Sequence, residues 1–81
     1  MNPHLFTNLN NEDKKKVLSA AVKLAERIED QYKYELFEYE GFYIEARWSL
    51  LYNTINAINA FDDHRFVDAY LTHTNISDYQ E

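Results

Sequence analysis

The sequence predicts an α+β fold, because the spacing of its apolar residues changes twice along the chain. Apolar residues recur at helical spacing before residue 32, alternate with polar residues over 32–61, and return to helical spacing after residue 62. One glycine and one proline in 81 residues are typical of an ordered chain rather than a linker. A chain of this length makes one domain, 1–81.

The first predicted element is an amphipathic helix over about 11–31, with Asn10 as its N-cap. Glu12 and Asp13 lie in its first turn, where carboxylates interact favourably with the positive end of the helix dipole. The apolar side chains of residues 17–32 fall within one arc of about 160°. The opposite side of this helix carries three basic residues: Lys16, Lys23 and Arg27.

The next part of the chain predicts a three-stranded antiparallel meander over about 32–39, 42–50 and 54–61. The alternation is clearest in the middle strand, where apolar and aromatic residues occupy every second position. Glu40–Gly41 and Asn53–Thr54 supply the two turns, since glycine and asparagine tolerate the left-handed conformation. In the third strand the apolar positions change parity, which predicts a β-bulge.

A short C-terminal helix over about 63–72 closes the predicted fold. Its apolar face consists of Phe66, Val67, Tyr70 and Leu71. The alternative is an all-α three-helix bundle, because five apolar residues follow a spacing typical of helices: Ile44, Trp48, Leu51, Ile55 and Ile58. The asparagines of residues 53–59 are weak helix formers, which favours strands.

Several short motifs resemble those of a group of short, uncharacterised bacterial proteins. These motifs are Gly41-Phe-Tyr-Ile-Glu-Ala-Arg, Asn53-x-Ile55, Ala60-Phe61, Tyr70-Leu71 and Ile76-Ser77-Asp78, which lie in the C-terminal half of the chain. The resemblance implies an N-terminal helix, a β-hairpin or meander and a closing helix, and it implies no known activity. The sequence departs from the group at Leu50-Leu51-Tyr52, where a polar turn is expected.

The chain is acidic, with 14 acidic and 8 basic side chains and a formal net charge of −6. A protein that binds nucleic acid by neutralising phosphates normally has the opposite sign, so nucleic acid is not an expected partner. No apolar run approaches the roughly 20 residues that cross a bilayer, and the first residues do not resemble a secretory signal. The absence of cysteine excludes disulfides and thiolate metal ligands. We therefore expect a cytoplasmic protein without membrane contact.

The best candidates for metal ligands in the sequence are Asp62, Asp63, His64 and Asp68, with His73 one or two helical turns beyond. His64 and Asp68 are four residues apart on the predicted C-terminal helix, so both side chains can face one ion. Two well-spaced ligands are fewer than the three or four that a protein metal site uses. A helix cap beside an exposed side-chain pair explains the same residues, and no metal or cofactor is expected.

Catalysis is not expected, because one glycine cannot form a nucleophile elbow or a phosphate-binding loop. Rings on both strand faces exceed what two helices can cover, which predicts a non-catalytic module that binds another protein or a second copy of itself. The predicted contact residues are Phe37, Tyr39, Tyr43 and Leu51. The alternative is an acidic inhibitor of the immunity or antitoxin type, which binds a basic target through six carboxylates between residues 26 and 40.

Overall fold

The computed structural model describes residues 1–63, which form two helices followed by a four-stranded antiparallel sheet. The elements are α1 (Pro3–Thr7), α2 (Asn11–Ala20), β1 (Val22–Glu29), β2 (Tyr32–Tyr39), β3 (Phe42–Ser49) and β4 (Thr54–Phe61). The strand order is β1-β2-β3-β4, so each strand pairs with its neighbour in sequence. The α+β class and the meander are confirmed, and the three-helix bundle alternative is wrong because residues 32–61 form strands.

Both helices begin at an asparagine whose side chain caps the first turn. The Asn2 side chain accepts a hydrogen bond from the Leu5 amide at 2.8 Å, and Pro3 supplies the φ angle that a first helical turn needs. The Asn10 side chain accepts from the Asp13 amide at 2.8 Å, which confirms the predicted N-cap of α2. The sequence analysis did not predict α1.

The predicted helix over about 11–31 is wrong in its second half, because α2 ends at Ala20 and β1 begins at Val22. Asp30 adopts the left-handed conformation, with φ of 58°, and closes a two-residue turn between β1 and β2. Pairing with β2 satisfies the backbone groups on one side of β1, and this tertiary contribution outweighs local helix propensity. Within residues 1–63 the sheet therefore has four strands rather than the predicted three.

The β2–β3 turn lies where the sequence predicts it. Glu40 and Gly41 have φ angles of 51° and 88°, as a type I′ turn requires at both central positions. The register that follows is regular from Tyr39 opposite Phe42 to Tyr32 opposite Ser49. The predicted hairpin is confirmed at this turn.

The predicted bulge in the last strand is also confirmed. The register of β3 and β4 shifts so that Trp48 lies opposite Ile55 while Ala46 lies opposite Ile58. The shift places both isoleucines on the same face of the sheet, although they differ in sequence parity. The extra residue is Asn56.

The core lies between the helices and one face of the sheet, which we call the helix-side face. Phe6 of α1 and Phe42 and Ile44 of β3 are at most 2% exposed and form the Phe6 cluster. Seven half-buried residues pack against it: Leu9, Val17, Leu18, Phe37, Tyr39, Ile58 and Ala60. The sheet residues of this group all lie in the half of the sheet nearest the Glu40–Gly41 turn, so the helices cover that half.

The predicted C-terminal helix over about 63–72 lies outside the described residues, except for Asp63. Its predicted apolar face, from Phe66 to Leu71, lies outside them as well.

Candidate functional site

The four predicted contact residues do not lie on one surface. Phe37 and Tyr39 are on the helix-side face and pack against the Phe6 cluster. Tyr43 is on the opposite face, where its ring stacks on Phe61 with the centroids 5.7 Å apart. Leu51 is in the loop between β3 and β4 and is 70% exposed. Of the four, only Leu51 projects fully into solvent.

The loop that contains Leu51 is held by hydrogen bonds at both ends. We call residues 50–53 the apolar loop. The Asn53 amide donates to the Ser49 carbonyl at 2.7 Å, and the Tyr52 amide donates to the Ser49 hydroxyl at 3.2 Å. The Leu50 amide donates to the Gln31 carbonyl at 2.9 Å, which ties the loop to the β1–β2 turn. Asn53 adopts the left-handed conformation, with φ of 56°, so the chain returns directly into β4.

Three consecutive apolar side chains project from this fixed backbone. Leu50 is 47% exposed, Leu51 70% and Tyr52 74%. The Phe6 cluster lies toward the other end of the sheet, where the N-terminal ammonium is 2.7 Å from the Glu40 carboxylate. On β4 the start of α2 reaches further, because Asn11 and Lys15 line a recess together with residues 55–58. The apolar loop is therefore at the end of the sheet that the Phe6 cluster leaves open.

The first strand provides a second exposed surface. Val22 and Ile28 are each 63% exposed and Leu24 is 43% exposed. Within residues 1–63, β1 pairs on one side only, with β2, whereas the other edge strand, β4, is contacted by α1. A register shift between Lys23 and Ala25 interrupts the ladder, so the regular part of β1 is residues 25–29.

A carboxylate lies between the Phe6 cluster and the open end of the helix-side face. The Glu35 side chain, 12% exposed, accepts a hydrogen bond from the Trp48 indole at 2.6 Å. Its other oxygen is 2.9 Å from the Lys23 ammonium and 3.8 Å from the Lys33 ammonium. The Lys33 ammonium also lies 5.6 Å from the centre of the Trp48 ring. These contacts hold the indole in one orientation beside the open end of the sheet.

Lys23 also bonds Glu26, and this exposed pair predicts a dependence of stability on pH. The Lys23 ammonium holds the pKa of the Glu26 carboxyl below its ordinary value of 4.5 through a hydrogen bond. Glu26 therefore stabilises the fold above that value, and the contribution is lost as the pH falls through the lowered pKa. Because both side chains are over 40% exposed, we expect the contribution to be below about 1 kcal/mol.

The measurement is the melting temperature of the wild type and of Glu26→Gln between about pH 6 and about pH 3. We expect the Glu26→Gln variant to lose less stability over this range than the wild type does. The Lys23→Met variant should also show a flattened profile, although it removes the contact with Glu35 as well. Adding Glu26→Gln to Lys23→Met should flatten the profile no further. If the melting temperature of Glu26→Gln depended on pH as that of the wild type does, the contact between Lys23 and Glu26 would not stabilise the fold.

The face of the sheet opposite the helices combines aromatic rings with arginines. The Arg27 guanidinium lies 4.0 Å from the centre of the Tyr34 ring, and that of Arg47 lies 4.8 Å from the Tyr32 ring. Such cation–π contacts cover ring faces that would otherwise meet solvent. The rings of this face are half-buried rather than fully exposed. Rings do occur on both faces, as the alternation of 32–50 predicts.

The six carboxylates between residues 26 and 40 are dispersed over the sheet. Glu26 and Glu35 share Lys23 on the helix-side face, and Glu29 lies 2.6 Å from Arg27 on the opposite face. Glu40 binds the N-terminal ammonium at one end of the sheet. Because these carboxylates lie on different faces of the sheet and several form ion pairs, they do not form one acidic surface.

The candidate metal ligands are only partly within the described residues. Asp62 is exposed just after β4, and His64 and Asp68 lie outside the described part. Within residues 1–63, no three His, Asp or Glu side chains are grouped as a metal site requires. Neither α1 nor α2 is long and apolar enough to cross a membrane.

Comparison of the chain with protein-family models, curated proteins and solved structures gave no match. The resemblance to short bacterial proteins therefore stays a prediction.

Sequence analysis missed most of the exposed apolar residues. The sequence places Val22, Leu24 and Ile28 in the buried arc of a predicted helix, because these residues also fit a 3.6-residue period. Leu50 and Tyr52 were detectable, because an apolar triplet replaces the polar residues that a hairpin loop normally carries.

Proposed function

We propose that this chain is a non-catalytic protein-interaction module whose contact surface is the apolar loop. The observation that supports the proposal is the exposure of Leu50, Leu51 and Tyr52 on a backbone held by three hydrogen bonds. Contiguous exposed apolar groups are uncommon on monomeric proteins and often mark binding surfaces.

The fixed backbone favours binding, because less conformational freedom is lost when a partner binds. Tyr52 adds a ring that buries a large area while its hydroxyl stays hydrated, a combination common at interfaces. Two adjacent leucines next to this ring suit an apolar recess on another folded protein. The partner we propose is therefore a protein, with its contact centred on Leu51.

The experiment compares partner capture by the wild type and by the Leu51→Lys variant from the native cell, followed by measurement of the affinity for each captured protein. Leu51→Lys should weaken binding by at least tenfold, because it places an ammonium in an apolar interface. The matched control is Leu5→Lys, which changes a 52% exposed leucine on α1 at the other end of the molecule. Equal affinities for the wild type and Leu51→Lys would refute the proposal.

The acidic-inhibitor alternative and the cytoplasmic location stay predictions. The inhibitor alternative depends on the net charge of −6 and on carboxylates that are largely paired within the chain. A contact steered by charge weakens steeply as ionic strength rises, whereas an apolar contact does not. Measuring the affinity for a captured partner at low and high salt therefore separates the two functions.

A further inference from the structure

We infer that residues 64–81 dock across the face of the sheet opposite the helices, over Leu36, and close this face to other partners. We call it the opposite face. Residues 64–81 lie outside the described part of the chain, and their docking on this face is independent of the function proposed for the apolar loop.

Leu36 of β2 is buried on the opposite face. Its neighbours in the strand, Glu35 and Phe37, are on the helix-side face, so Leu36 points the other way. Leu36 is 1% exposed, although α1 and α2 pack on the helix-side face. An antiparallel sheet face without a packed layer stays in contact with solvent. The opposite face therefore has a cover that the described helices do not provide.

Two neighbours on β1 show the same difference between the faces. Ile28 points to the helix-side face outside the Phe6 cluster and is 63% exposed. Arg27 points to the opposite face, where its longer side chain is only 12% exposed. The Tyr34 ring lies 4.0 Å from the guanidinium and covers one side of it, so the low exposure needs a cover on the other side as well. Both exposures are those of a single chain, so the cover belongs to the chain itself.

The covered residues follow a diagonal strip across the opposite face. The strip begins at Phe61 on β4, passes Leu36 on β2 and reaches Arg27 on β1. Exposed residues of the same face border it on both sides: Val22 and Glu38 on one side, Thr54 and Asn59 on the other. A strip with two exposed borders is the footprint expected for one helix that crosses a sheet obliquely.

Residues 64–81 are the part of the chain that can reach this strip. The strip begins at Phe61, where β4 ends, and the described chain stops two residues later at Asp63. The sequence predicts a helix over about 63–72, and ten helical residues are about 15 Å long. Neighbouring strands are about 4.8 Å apart, which places β1 about 14 Å from β4. A helix of the predicted length therefore crosses the whole sheet.

The predicted helix also has the apolar face that such docking requires. Its four apolar residues are Phe66, Val67, Tyr70 and Leu71. The strip offers them Leu36 at its centre and the stacked rings of Tyr43 and Phe61 at its start. A segment joined directly to β4 has a high effective concentration at this face, which favours it over a second copy of the chain.

The first test measures how fast a thiol reagent modifies a cysteine placed under the segment, in the full chain, which contains no other cysteine. Leu36→Cys reports on the opposite face, and Ala46→Cys reports on the helix-side face, where Ala46 is 0% exposed. Adding Tyr70→Asp should speed the modification of Leu36→Cys at least about tenfold, because a buried carboxylate opposes docking. The modification of Ala46→Cys should change by a much smaller factor.

The matched control for Tyr70→Asp is Thr72→Asp, which introduces the same residue on the other side of the predicted helix. Two positions along an α-helix correspond to a rotation of about 200°. Thr72→Asp should leave the modification of Leu36→Cys unchanged. Equal acceleration by Tyr70→Asp and Thr72→Asp would overturn the inference, and so would equal acceleration of both reporters by Tyr70→Asp.

The second test keeps Leu36 and Tyr70 in place, so it does not depend on variants that alter the docked surfaces. A nitroxide spin label is attached to Thr72→Cys, on the side of the predicted helix that faces away from the sheet. Paramagnetic broadening falls steeply with distance, so the label should broaden the methyl resonances of Leu36 and leave those of Val17 on α2 sharp. Equal broadening of the two sets of resonances would contradict docking on the opposite face.

A second copy of the chain is the competing occupant of the strip. Modification of Leu36→Cys that accelerates on dilution would assign the cover to a second copy and overturn the inference. A rate for Leu36→Cys as high as that of Leu51→Cys, which replaces a 70% exposed side chain, would overturn it as well. Leu51→Lys should leave the protection of Leu36→Cys unchanged, so the docked segment and the function proposed for the apolar loop can fail separately.

Discussion

Replacement of Phe6 by alanine is expected to lower the free energy of unfolding by about 3–5 kcal/mol. Phe6 is 0% exposed, and its ring lies 6.2 Å from that of Phe42 at the centre of the Phe6 cluster. Removing the ring loses the free energy of burying it and leaves a cavity between α1 and the sheet. Small domains have a total stability of about 5–15 kcal/mol, so the variant should approach the threshold of unfolding. Urea denaturation followed by circular dichroism measures the change.

The control for this variant is the neighbouring residue on the same helix. Leu5→Ala removes a comparable apolar side chain that is 52% exposed, and it should change the stability by less than about 1 kcal/mol. If the two variants lost equal stability, α1 would not pack on the sheet as described.

The Trp48→Phe variant is expected to lose about 2 kcal/mol, because the indole donates a 2.6 Å hydrogen bond to the largely buried Glu35 carboxylate. Phenylalanine keeps most of the apolar area but has no donor. The carboxylate then keeps Lys23 and Lys33 but loses one of its three partners. The same denaturation experiment measures this loss.

A double-mutant cycle with Glu35→Met, which leaves the indole no side-chain acceptor at this position, isolates the contribution of the contact between the two side chains. If the indole and the carboxylate stabilise the fold together, the double variant should be more stable than the sum of the single losses predicts, by about 1–2 kcal/mol. Strict additivity would mean that Trp48 contributes through packing alone.

The strands of residues 32–61 could be predicted because each local signal agrees with the final fold. Glycine follows Glu40 where a type I′ turn needs positive φ at both positions, and alternating residues on each side set the hairpin register. The parity change between Ile55 and Ile58 in the sequence predicts the bulge that β4 contains. In this region, turn chemistry and periodicity specify one structure.

The strand of residues 22–29 could not be predicted in the same way. Its apolar residues fit a helical period because the bulge near Leu24 breaks the alternation that normally marks a strand. The turn at Asp30 contains no glycine, so it gave no clear stop signal. Only the pairing with β2, which is a tertiary interaction, makes residues 22–29 a strand rather than a helix.

The candidate surfaces were only partly accessible to sequence reasoning. Leu51 is one of the predicted contact residues because the aromatic and apolar side chains of both strand faces exceed what two helices can cover. Phe37 and Tyr39 were also chosen, since alternation shows that side chains share a face but not which face the helices cover. The position of α1, an unpredicted five-residue helix, decides that question.

The indole bound to Glu35 is the only one in the chain, which also contains seven tyrosines. Its ultraviolet emission therefore originates from a single place, next to two lysines and outside the Phe6 cluster. That emission can follow events near the apolar loop in unlabelled protein. It is a poor monitor of the distant interior beneath the helices, for which a label near Phe6 would be needed.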